Sequence, residues 1–301
     1  MKQLCTFASL HLCVKKKYIL LLLLIITASF ISAQESFKVK DKDLNEISGI
    51  AASRTCPGLY YVHNDSGGKP EVYIINSKGK TISSILLTDA NNRDWEDIAV
   101  GPGPEPGENY IYVGEIGDNK AQYQDVCLYR FIEPEIRARG NKRLKPINIP
   151  AEQIQNLTIS FEDGPKDCET LMIDPANGDV YLVSKREQKV GLYQIKAPLS
   201  ATTTNIARRI MSFDFALAVA GDISPDRSKI IIKNYSTVYC WDVLPDQSIP
   251  EALAQKPVKL HYITEPQGEA LCWTSTGNKY LTISERSGKE PLFLYVYPFL
   301  P

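Results

Sequence analysis

Five short runs of this sequence set a carboxylate just ahead of small and apolar residues. They are Glu46-Ile47-Ser48-Gly49-Ile50, Glu96-Asp97-Ile98-Ala99-Val100, Glu169-Thr170-Leu171-Met172-Ile173, Asp222-Ile223-Ser224 and Glu269-Ala270-Leu271, with lead acids 50, 73, 53 and 47 residues apart. Acids brought together repel one another, so some must be protonated, paired with a base or bridged by a cation. Candidate bases stand nearby in the chain at Arg93, Lys185, Arg186, Lys233 and Arg286. Oxygens from Glu46, Glu96, Glu169, Asp222 and Glu269, with Asn64 and Asn119, suit a hard ion, and calcium accepts many such ligands in flexible geometry. Asp118 and Asn119 either join that set or organise an Asx turn. Zinc is disfavoured, because beyond residue 33 the histidines are His63 and His261 alone, in different units, and no Cys-x-x-Cys occurs. His63, in Val62-His63-Asn64-Asp65-Ser66, is the candidate general base, since imidazole titrates near neutrality. No Gly-x-Ser-x-Gly elbow or His-Glu-x-x-His accompanies it. The plainer alternative is that each lead acid caps a turn or pairs with a base, and that His63 is a hydrogen-bonded loop residue.

The elements that must position these groups follow from the spacing. An interval near 50 residues is one unit of four short antiparallel strands, and each unit shows alternating apolar residues punctuated by Gly, Pro, Asn and Asp turns. The 73-residue interval contains two insertions, a Pro/Gly loop at 102–109 and a basic, proline-punctuated excursion at 133–155 with a short helix. The last unit has three strands, and a lone strand at 36–40 completes it. This predicts an all-β chain forming a single β-propeller of five four-stranded blades, the last blade closed by the N-terminal strand; six shorter blades are the other division. In such a ring the starts of the first strands and the ends of the second strands open onto one face. Asn64, Asp65, Lys185, Arg186, Lys233, Asn234, Glu285 and Arg286 then join the lead acids, with Arg93, as ligand-binding candidates at one channel mouth.

Lys15-Lys16-Lys17, an apolar run from Tyr18 and the small residues ending at Ala33 read as a secretory signal peptide at 1–33, leaving 34–301 as the propeller domain. The run is shorter than the ~20 residues of a membrane span, so no span is expected after cleavage, and the protein is expected to be secreted or periplasmic. Without 1–33 the chain has 30 basic and 35 acidic residues, which argues against a nucleic-acid partner. Five cysteines remain, Cys56, Cys127, Cys168, Cys240 and Cys272, and read as buried small hydrophobes rather than a disulfide framework.

Glu46-Ile47-Ser48-Gly49-Ile50 with Val62-His63-Asn64-Asp65, Asn92-Arg93-Asp94-Trp95-Glu96-Asp97, Gly117-Asp118-Asn119 and Gln267-Gly268-Glu269-Ala270 resemble an uncharacterised group of exported bacterial β-propeller proteins over residues 44–286. Through the Glu-x-Ser-Gly opening the chain is more distantly similar to phytase-like and lactonase or paraoxonase-type propellers. That similarity implies a calcium ion in the channel that polarises an ester, lactone or phosphoester oxygen. Glu46 and Glu96 would hold it, with Asp118, Asn119, Glu169, Asp222 and Glu269 completing the set. The chain departs from the lactonase pattern in using Glu where that family uses several Asn. The expectation is a monomer that binds a small polar or anionic ligand with a divalent cation, and hydrolysis is the implied chemistry. The alternative is a non-catalytic propeller whose rim, at 137–145, contacts an envelope protein or glycan.

Overall fold

The computed structural model describes residues 34–137, 143–288 and 290–299. The expected signal sequence and part of the basic excursion lie outside them. A short strand β1 (Glu35–Lys38) precedes a meander of β2 (Ile47–Ala52), β3 (Leu59–Asn64), β4 (Glu71–Asn76) and β5 (Thr81–Leu87). The second meander is β6 (Trp95–Pro102), β7 (Asn109–Glu115), β8 (Val126–Ile132) and β10 (Gln155–Phe161), interrupted by β9 (Ile147–Ile149). The third is β11 (Cys168–Ile173), β12 (Val180–Ser184), β13 (Gly191–Ile195) and β14 (Asn205–Ser212). The fourth is β15 (Ala218–Ile223), β16 (Lys229–Asn234), β17 (Val238–Asp242) and β18 (Val258–Leu260), with a helix α1 (Ile249–Leu253) before its last strand. The fifth is β19 (Ala270–Trp273), β20 (Lys279–Ile283) and β21 (Phe293–Pro298), which pairs antiparallel with β1. The lone N-terminal strand thus completes the last meander.

The all-β expectation holds, but the strands form four sheets rather than five separate ones. The second and third meanders share an eight-stranded sheet, because their outer strands β10 and β14 pair in parallel. Asn205 supports that junction by donating from Nδ2 to the Thr158 carbonyl at 3.0 Å. The sheet folds back until its edge strands β6 and β11 lie against each other. The excursion, expected as a loop with a short helix, instead adds β9 in parallel to β5 and then makes a single 3-10 turn at Ala151–Gln153. Ile147 and Ile149 drive this by packing into the core between the first two meanders.

The first strands β2, β6, β11, β15 and β19 pack in succession, and β19 returns to β2. Five buried apolar clusters lie between consecutive meanders, the fifth and first included. Strands buried on both faces need small residues where backbones approach: a Cβ at Gly221 of β15 would stand 2.9 Å from Thr170 Cγ2 of β11. Polar side chains tie the seams. Ser48 Oγ of β2 donates to the Trp95 carbonyl of β6 at 2.9 Å. The Asp97 carboxylate of β6 accepts from Leu171 N of β11 at 2.9 Å, and that of Asp222 in β15 accepts from Trp273 N of β19 at 2.8 Å. Each seam bond satisfies a backbone group that the sheets leave unpaired.

Candidate functional site

Where the first strands begin, a cavity of about 260 Å3 is lined by Asp65, Glu96, Asn119, Glu169, Lys185, Arg186, Leu217, Tyr235, Gln267, Glu269 and Glu285. A local irregularity builds its acidic wall. The pairing of β6 with β7 shifts between Trp95 and Asp97, and that of β11 with β12 between Cys168 and Thr170, so Glu96 and Glu169 are the extra residues of two β-bulges. A bulge re-aims the residue it carries. The same shift falls at Ser48 in β2 and Val219 in β15. Two residues before each bulge stand Asp94 and Asp167, and the spacing Asp-x-Glu places both acids of each pair in one cluster.

Asp65, Asp94 and Glu96 form one group whose oxygens lie within 4.8 Å of one another, and Glu96, Asp167 and Glu169 form a second. Glu96 belongs to both. It is 4% exposed and receives no hydrogen bond from any described residue. Gly117 makes the space for it: a Cβ there would stand 2.2 Å from Glu96 Oε1 and 2.5 Å from Asp94 Oδ2. Burial raises the Glu96 carboxyl well above its ordinary range, and Glu169, Asp65 and Asp94 add to the rise. Burial likewise pushes Asp65 up to about 6 and Glu285, beside Glu269, up to about 7.

Cations occupy the other side. Lys185 Nζ contacts Glu169 and lies 3.4 Å from Glu269 Oε1, while the Tyr235 hydroxyl donates to Glu269. Burial alone would lower Lys185, but Glu169 and Glu269 together hold it well above its usual value. Arg186 Nε reaches Asp167 Oδ2 at 2.6 Å. One lysine and one arginine face more acids than they neutralise, and the carboxylate cluster could hold a metal ion.

The Asn-Asn-Arg-Asp-Trp-Glu-Asp run shapes this wall residue by residue. Trp95 is fully buried and donates from Nε1 to the Asn91 carbonyl at 2.8 Å. Asn92 Nδ2 donates to the Asp65 carbonyl at 2.7 Å, joining the first two meanders at the rim. The Glu115 carboxylate accepts from Arg93 N at 3.1 Å and Asp94 N at 3.0 Å and pairs with Arg93 Nε at 3.2 Å. Arg93 is thereby drawn off the cavity wall and stacks on Tyr123 with 4.0 Å between its guanidinium carbon and the ring.

The remaining candidates separate clearly. Glu46 is exposed, two residues before the β2 bulge. Asp222 lies three residues beyond the β15 bulge, half-buried in its seam and near Arg54, and burial pushes it up to about 6. Asp118 organises its loop, accepting from Tyr123 N at 2.7 Å and donating from N to Asp167 Oδ1 at 2.9 Å. Asn64 holds the segment before β2 through the Asp43 carbonyl at 2.7 Å, and Arg286 does so through the Asp41 carbonyl at 3.2 Å. Asn234 caps a turn, accepting from Thr237 N at 2.9 Å. Lys233 is fully buried, donates to the Gly268 carbonyl and is lowered to about 8 by burial.

His63 does not reach the cavity either. It is fully buried, its Nδ1 lies 3.0 Å from the Asn64 carbonyl, and its ring meets Trp95 edge-on. Burial lowers it to about 4. Asp94, Asp167, Leu217, Tyr235 and Gln267 complete the site beyond the expected set. No protein-family model and no curated protein matches the chain.

Proposed function

We propose that the chain is an exported five-bladed β-propeller that binds a divalent cation, calcium by preference, at its acidic mouth and through it a small anionic ligand. The five meanders, with cores between every consecutive pair, support the propeller reading. The N-terminal Lys15-Lys16-Lys17 and the apolar run after it support export. The observation that carries the site is Glu96, a buried carboxylate shared by two acid groups and given no hydrogen bond by any described residue. An uncompensated charge in that position is costly, and a bound cation removes the cost. A cation held on the Asp65, Asp94 and Glu96 side keeps positions open toward Lys185, Arg186 and Tyr235. An anionic group of the ligand fills them, one oxygen on the ion and another on the lysine or arginine.

Binding rather than hydrolysis is the better supported half of this reading, because the expected base, His63, is sealed beneath the mouth. The test is a thermal melt of the full chain with calcium and with chelator. Calcium should raise the melting temperature in the wild type and leave Glu96→Gln unmoved. Equal shifts in both proteins, or none in either, would overturn the assignment.

A further inference from the structure

A larger cavity lies away from the mouth, where the first and last meanders meet. It encloses about 680 Å3 between residues 38–43 and the β4–β5 turn at 78–81. The turn seats on β1, and a Cβ at Gly79 would stand 2.8 Å from Val39 Cγ2. Lys38, Lys40, Lys42 and Lys78 line the groove and form no ion pair among the described residues, while Arg143 on the same wall is 3.2 Å from Asp41. The surplus of positive charge stands out on a chain that is acidic beyond residue 33.

The groove begins at the end of a strand, β1, that has one unpaired edge. β1 is the edge of its sheet. Val39 N donates to the Leu292 carbonyl at 2.9 Å, and Glu35↔Val296 and Phe37↔Leu294 continue that register. In an antiparallel ladder the alternate residues then turn their N–H and C=O groups outward. These are Ser36 and Lys38, and no described residue pairs with their backbone. Lys38 and Lys40 are two residues apart, about 7 Å along an extended chain, which is the repeat of same-side residues on a second strand. No aromatic side chain lines the groove, so it lacks the stacking platform of a single-stranded nucleic-acid site.

We propose that this groove binds an extended acidic segment of a partner protein as an added strand on β1. Backbone bonds to Ser36 and Lys38 would supply affinity, and Asp or Glu at every second position, set against Lys38 and Lys40, would supply selectivity. The site is independent of the mouth and of the cation.

The test titrates the full chain with a fluorescent peptide of alternating Glu and Thr, with hydrogen exchange read on and off the peptide. Binding should weaken at least tenfold in Lys38→Glu/Lys40→Glu and with added salt, and exchange of the Ser36 and Lys38 amides should slow in the complex. Lys38→Pro removes only an outward N–H, which an edge strand tolerates, and should weaken binding more than Lys38→Ala. If Lys38→Pro fails to fold, Lys78→Glu on the opposite bank carries the charge test and amide exchange the backbone test. The proposal is overturned by no binding, by equal binding of a same-charge peptide interrupted with proline, by unchanged exchange at 36–38, or by tighter binding of polyglucuronate or anionic vesicles.

Discussion

Glu96 and Asp97 sit side by side on β6 in opposite surroundings. Asp97 turns inward, accepts from Ile98 N and Leu171 N at 2.9 Å each, and stitches β6 to β11. Glu96, pushed out by the bulge between Trp95 and Asp97, meets other acids and no donor. The same division recurs beyond β6. Asp97 and Asp222, past the bulges of their strands, and Ser48, at the bulge of β2, spend their polar atoms on neighbouring strands. At the bulges and two residues before them, Asp94, Glu96, Asp167 and Glu169 face one another across a cavity. One layer is polar because the fold needs it there; the other holds more acids than Lys185 and Arg186 neutralise.

The largest effect expected from this contrast is on stability. Asp97→Ala leaves two buried N–H groups without an acceptor and should destabilise the protein by about 4 kcal/mol, measured by urea unfolding. Glu96→Ala, one residue away, should cost less than about 1 kcal/mol in chelator, because it removes a buried carboxyl that no described residue hydrogen-bonds. Similar losses in the two variants would erase the distinction between the layers.

Acidity gives the next test. A buried histidine whose pKa falls to about 4 on folding contributes stability that is present above its unfolded value near 6.5 and is lost as pH falls toward 4, by up to about 3 kcal/mol. His63→Gln should flatten that acid limb in unfolding measured from pH 7 to pH 4. Raised carboxyls act in the opposite sense. Asp65 at about 6 and Glu285 at about 7 favour the fold while protonated, and that contribution is lost as pH rises through those values. Calcium should reverse the loss at the mouth and leave the acid limb as it is. An acid limb of unchanged slope in His63→Gln would show that His63 titrates as freely as in the unfolded chain.

A smaller effect is expected from Gly117→Ala. The added methyl meets Glu96 and Asp94 at the flexible ends of their side chains, so the fold should survive while calcium affinity drops about tenfold, about 1.4 kcal/mol. Calorimetry on the folded variant checks it, and an unchanged affinity would place the ion elsewhere.

Much of this arrangement was legible in the residues. Periodic runs and turn residues define the strands, and the unpaired segment before Glu46 is the strand that completes the last meander. Glu96, Glu169, Glu269, Asp65, Lys185, Arg186, Asn119 and Glu285 all reach one cavity as their positions on the first and second strands require. The bulges were not legible, because a one-residue shift of register leaves no mark in an apolar run. Counting from acids therefore treated Glu46 and Asp222 as equivalents of Glu96, although Ser48 and Val219 hold those places. The recurrent Asp-x-Glu at Asp94/Glu96 and Asp167/Glu169 was the available signal for the missing acids. His63 reads as a mouth residue because it stands near the end of β3, yet it pairs with Gly49 just inside the β2 bulge, where Trp95 covers it.

The most direct measurement of the central claim is a calorimetric calcium titration of the wild type beside Glu96→Gln at neutral pH. Saturable binding by the wild type, abolished in a Glu96→Gln protein that melts at or above the wild-type temperature in chelator, is the predicted result. Undiminished calcium binding by Glu96→Gln would contradict it, because the carboxylate common to both acid groups would then not be the one that holds the ion.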